Sequence, residues 1–94
     1  MTTKATVTIQ IGNTDDKLSQ VQWANFVGEV NFLTRKFDTH FGAASAGDAR
    51  WQNYCLVCAV PLEQLEKLKT ELTAIRRRYE QESAAFTVGE TFFV

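Results

Sequence analysis

The chain has 94 residues, 45% hydrophobic and 22% charged, with ten basic against eleven acidic side chains and a formal net charge of −1. That length holds one domain, residues 1–94, and excludes two; roughly two-thirds of its surface is buried on folding, so neither a metal nor a disulfide is required. The charge balance argues against nucleic acid as a partner, and no apolar run reaches the ~20 residues of a membrane span.

From Ala5 the chain alternates, with apolar Ala5, Val7, Ile9 and Ile11 separated by Thr6, Thr8 and Gln10. Successive strand side chains point to opposite faces, so this is a strand with one buried and one more polar side. Gly12-Asn13-Thr14-Asp15-Asp16 ends it as a loop. It is not a phosphate loop, because it lacks the G-x-x-x-x-G-K spacing and carries two carboxylates.

A helix start follows. Ser19 and Gln22 have the spacing of a capping box, and Leu18 with Trp23 that of a hydrophobic staple. Trp23, Phe26, Val27, Val30, Leu33 and Phe37 then recur at helical steps as one apolar stripe. Arg35 and Lys36 suit the negative pole of the dipole, and Asp38 is expected to close the helix.

Residues 40–46 read as a short irregular strand, Gly47-Asp48 as a turn and residues 51–60 as a second strand of a hairpin. Pro61 fits the first position of a second helix. Leu65, Leu68, Leu72, Ile75 and Tyr79 form its stripe, and Glu63, Lys67 and Glu71 sit one turn apart on its wet side. Residues 85–94 alternate as a last strand running to the chain end.

The order β-α-β-β-α-β predicts an α+β fold of the ferredoxin-like kind. Its four-stranded antiparallel sheet carries both helices on one face, with the first and third strands central. The other face must meet water or a partner. Beyond Tyr54 the third strand is apolar on both sides, so either Trp51, Cys55 and Val57 or Tyr54, Leu56 and Cys58 stay on the open side, with Phe93, Phe92 or Val94 beside them. Monomers rarely leave such a patch uncovered. A homodimer through Trp51, Tyr54, Cys55, Val57 and Phe93 is the expected cover.

Several chemistries are weighed against this surface. Cys55-Leu56-Val57-Cys58 has C-x-x-C spacing, but on a strand the two positions point to opposite faces about 10 Å apart, beyond sharing a disulfide or a metal. No metal or other cofactor is expected. The two cysteines, with an opening segment that lacks the apolar stretch of a signal peptide, suit a reducing cytoplasm. His40 is the only histidine, and no sequence feature supplies it with catalytic partners. Arg76-Arg77-Arg78 is the sharpest charge cluster; it favours a helix C-terminus, and as a functional site it would contact an anion or phosphate. Arg35, Lys36 and Arg50 extend it only if the fold brings them near.

Trp23-Ala24-Asn25-Phe26 on the first helix, Trp51 in the hairpin and Tyr79-Glu80-Gln81-Glu82-Ser83 before the last strand form an ordered set of marks. In this the chain resembles small uncharacterised ferredoxin-like proteins of bacteria and their phages. The family's usual Gly before the hairpin Trp is replaced by Ala49-Arg50. The resemblance implies the fold and a phage or mobile-element origin, and it carries over no catalytic residue. The expected function is therefore a non-enzymatic binding protein, homodimeric through the open sheet and directed at a host protein, such as a defence factor. Two alternatives are a module sequestering a small nucleotide-like anion at Arg76, Arg77 and Arg78, and a dimeric α+β barrel enzyme using His40 with Tyr54 or Tyr79.

Overall fold

The computed structural model describes residues 3–13, 16–46 and 51–94; the expected Gly47-Asp48 turn and Arg50 lie outside them. The elements are β1 (Lys4–Gly12), α1 (Gln20–Thr34), β2 (Asp38–Ala44), β3 (Asn53–Pro61), α2 (Leu65–Arg78) and β4 (Ala85–Gly89). All strand pairs are antiparallel, in the order β2-β3-β1-β4, so the first and third strands are central and the second and fourth are edges, as expected. Among the described residues no helix is long and apolar enough to cross a membrane.

The period-2 pattern of β1 sends Ala5, Val7, Ile9 and Ile11 to one side, where all four are buried. Register with β3 sets Val7 opposite Cys58 and Ile9 opposite Leu56, so Tyr54, Leu56, Cys58 and Val60 share that inner side. Both helices contribute to the same core through Trp23, Phe26 and Val30 of α1 and Leu68, Leu72 and Ile75 of α2. Phe26 is its centre: fully buried, stacked on Tyr79 at 4.9 Å and edge-on to Trp23 at 6.0 Å.

The start of α1 follows the sequence pattern. The Ser19 hydroxyl accepts from the Gln22 N–H, and the Gln22 side chain accepts from the Ser19 N–H. Its end comes sooner than Asp38. The Thr34 hydroxyl donates back to the Val30 and Asn31 carbonyls, an alternative to continued winding that short hydroxyl side chains offer. Pro61 closes β3 opposite Lys4 instead of opening the second helix. Its fixed φ suits an extended residue equally well, and a single 3-10 turn over Leu62–Gln64 separates it from α2.

Helix α2 ends in a Schellman turn. The Gln81 N–H donates to the Arg76 carbonyl and the Glu80 N–H to the Arg77 carbonyl, with Glu80 left-handed at φ 54°. A side chain pays for that conformation, whereas glycine adopts it freely. Glu80→Gly is expected to raise stability by about 1 kcal/mol, a melting shift of roughly 4–8 °C for a domain of this size, read by thermal denaturation.

The last strand is shorter than the alternation of residues 85–94 suggests. The chain leaves the ladder after Gly89, opposite Thr6. The Thr91 hydroxyl then hydrogen-bonds that of Thr6, and the Phe93 ring sits edge-on to His40 of β2 at 6.0 Å. The tail thus reaches from one edge strand across the central pair toward the other.

Candidate interaction surface

The face turned away from the helices is built by the alternate residues of each strand. Thr6, Thr8 and Gln10 of β1 lie opposite Ala59, Val57 and Cys55 of β3 on one side and Gly89, Thr87 and Ala85 of β4 on the other. On the far side of β3, Phe41 pairs with Val57 and Ala43 with Cys55. The face therefore divides in two. Its β1–β4 half presents threonines and a glutamine, which water satisfies. Its β2–β3 half presents Phe41, Ala43, Cys55, Val57 and Ala59, bounded by Asp38 opposite Ala59 at one end and by Asn53 at the other, and Phe41 is more than half exposed.

A register shift between Thr39 and Phe41 makes His40 an extra residue in the ladder. Such a bulge re-aims the side chain: His40 lines a shallow cleft with Thr6, Ala59, Thr91 and Phe93. Its Nε2 lies 4.0 Å from the Asp38 carboxylate. The bulge also interrupts the outer edge of β2, and the opposite edge strand has only five residues. Short and bulged edges disfavour strand-to-strand association.

The structure divides the five expected interface residues. Cys55 and Val57 stand side by side on the open face, half-buried. Phe93 is exposed on the tail, next to His40. Trp51 precedes β3 and is also exposed. Tyr54 is a correction to the expected set. It is buried on the helix side, where its hydroxyl donates to the Asn31 side chain of α1 and lies over Gly42. A Cβ at Gly42 would come within 2.9 Å of that hydroxyl, so the glycine is what admits the tyrosine. Burial pushes the Tyr54 phenol above its ordinary value.

The cysteines point to opposite faces, Cys58 into the core with its thiol pushed up by burial. Among the described residues no cluster of three or more His, Cys, Asp or Glu is placed to hold a metal. His40 and the two tyrosines named with it are on different sides of the sheet. Tyr79 stacks on Phe26 within the helix layer and donates its hydroxyl to Glu29.

The three arginines do not form one anion site. Arg76 donates to the Gln81 and Glu82 carbonyls at 2.9 and 3.1 Å and so holds the turn after α2. Arg78 is ion-paired with Glu29 of α1. Arg77 points to solvent. The hydrogen bond from Tyr79, assisted by Arg78, holds the Glu29 carboxyl below its usual value, whereas burial and then Glu29 raise the Tyr79 phenol. Arg35 and Lys36, 42 or more positions away from Arg78 in sequence, do join it along one groove between the helices. The chain matches no protein-family model, no curated protein and no solved structure.

Proposed function

We propose that this chain is a non-enzymatic interaction protein of ferredoxin-like fold that pairs with a second copy, sheet against sheet. One observation carries the reading: the apolar half of the open face, Phe41, Ala43, Cys55, Val57 and Ala59, is contiguous and lies beside exposed Phe93. Four strands spaced about 4.8 Å apart and five to nine residues long offer on the order of 500 Å² in projection. The apolar β2–β3 half is roughly half of that, within the range of apolar patches that monomers leave open, and even the whole face falls short of the ~800 Å² per partner of a standard interface. The tail supplies the difference. Phe92 and Phe93 are 77% and 86% exposed at the rim of the face, where a facing copy would cover them. Likeness to small bacterial and phage proteins fits a role in which the dimer occupies a host protein and blocks it.

Sedimentation equilibrium tests the pairing. The parent chain is expected to be dimeric at micromolar concentration. Val57→Glu places an unpaired carboxylate in the centre of the contact, a loss of about 3 kcal/mol or more than a hundredfold in Kd. Val57 lies outside the core, so the variant should keep its fold. A parent that stays monomeric at high concentration, or a Val57→Glu protein that dimerises as tightly as the parent, would overturn the reading.

A further inference from the structure

The opposite side of the molecule carries a second unpartnered surface, independent of the sheet. Helix α1 is apolar on two sides. Trp23, Phe26 and Val30 enter the core, while Val21, Ala24, Gly28 and Phe32 recur at steps of three and four along the solvent side. A helix serving one core needs only one stripe. Val21 and Phe32 are 71% and 63% exposed.

Gly28 sharpens the point. Glycine within a helix costs about 1 kcal/mol relative to alanine. A Cβ at Gly28 would meet nothing within 4 Å among the described residues. Among the described residues nothing therefore requires the glycine; what it provides is close approach from outside.

Gly28 opens onto a groove of about 970 Å³ between α1 and α2, lined by Ala24, Phe32, Leu33, Ala74 and Ile75 together with charged Glu29, Glu71 and Arg78. The groove is open along its top, unlike the enclosing pockets that bury most of a small molecule. A trough with small and apolar residues along it beside the Glu29–Arg78 pair, which joins the two helices, is a mixed apolar and charged surface of the kind that takes an amphipathic helix. Its charge selects the helix. Glu29 is engaged by Arg78 and Tyr79, and Glu71 lies 3.9 Å from Lys67. Arg35 and Lys36 line the groove past the end of α1, and among the described residues neither has a carboxylate within ion-pairing distance. The helix dipole offers about half a negative charge against their two. Arg35 is held at this end by its guanidinium, 3.9 Å over the Phe32 ring.

We propose that the groove between α1 and α2 receives an amphipathic helix of a partner protein, with acidic residues of that helix against Arg35 and Lys36. This supplies the partner-binding surface of the interaction protein and leaves the sheet face free for pairing.

The test is an amide-resolved NMR titration of the whole ¹⁵N-labelled chain with synthetic amphipathic peptides of about 18 residues, five helical turns. One has a leucine face and glutamate flanks, the other the same face and lysine flanks. A 20-nucleotide single-stranded DNA is the third probe. The glutamate peptide is expected to shift Ala24, Gly28, Phe32 and Ala74 and to leave Val57 unchanged. Arg35→Glu with Lys36→Glu should weaken it roughly five- to twentyfold, and Gly28→Leu should block it. Gly28→Ala is the folding control and should melt no lower than the parent. No shift with the glutamate peptide, equal binding of the lysine peptide, preference for the DNA, or shifts on the sheet face would each overturn the proposal. The Val57→Glu protein should still bind the glutamate peptide, so loss of pairing and loss of groove binding are read separately.

Discussion

Phe26→Ala is expected to lower stability by about 3–5 kcal/mol, on the order of 20 °C in melting temperature for a domain of this size. Phe26 is fully buried and is the aromatic that joins the two helices, since Tyr79 at the end of α2 stacks on one side and Trp23 of α1 meets its edge. Truncation removes the transfer energy of the ring and leaves a cavity between α1, α2 and the sheet. The surrounding side chains can close it only in part, because a close-packed core relaxes incompletely around a lost ring. Native domains are stable by only 5–15 kcal/mol or so, so the variant should lie close to the unfolding threshold at 37 °C. Phe32→Ala, on the opposite side of the same helix and 63% exposed, should change stability by less than about 0.5 kcal/mol. Urea unfolding of both separates the two faces. A Phe26→Ala loss below 1.5 kcal/mol or so, less than half the usual value for a buried aromatic, would mean that the core is arranged differently.

What could be read from the residues depended on whether the signal was local. The capping box needs only Ser19 and Gln22, and the β1 strand only its own alternation; both stand in the structure as their spacing suggests. The inner face of β3 was not readable, because both of its sides are apolar. The deciding contacts are non-local: Asn31 receives the Tyr54 hydroxyl from 23 residues away, and Gly42 makes room for it. The ends of elements were misplaced where a residue suits two states, as Pro61 suits a strand end and a helix start. Residues 90–94 keep the alternation of a strand, but the pairing with β1 stops at Gly89. The second stripe of α1 was hidden because Val21, Ala24, Gly28 and Phe32 interleave with the core stripe, so the helix reads as generally apolar. The arginine run looked like one site because its members are adjacent in sequence; helical geometry sends them to a turn, to solvent and to Glu29.

The buried polar latch at Asn13 left no such signal, since an asparagine after a glycine reads as an ordinary loop former. Asn13 is 2% exposed. Its side-chain oxygen accepts from the Leu18 N–H at 2.8 Å, and its amide donates to the Leu18 carbonyl at 3.0 Å and to Gln52 Oε1 at 3.2 Å. Its backbone N–H donates to the Gln52 carbonyl at 3.0 Å. Gln52 in turn exchanges hydrogen bonds with Gln20 on the first turn of α1. One small amide thus ties the end of β1, the approach to β3 and the capped start of α1. Asn13→Ala keeps the backbone bond but strips both Leu18 groups of their partner at a site water does not reach. Each unsatisfied buried group costs about 1–3 kcal/mol, so a loss of about 2–4 kcal/mol is expected, measured by urea unfolding. Gln20→Ala, at the exposed end of the same network, should lose less than about 1 kcal/mol, because water can replace it. A double-mutant cycle of Asn13→Ala with Gln52→Ala should show a coupling of 0.5 kcal/mol or more, in the range for partners in one network. Strict additivity of those two losses would show that the loop and β3 are held independently, and that the latch is not what orients α1 over the sheet.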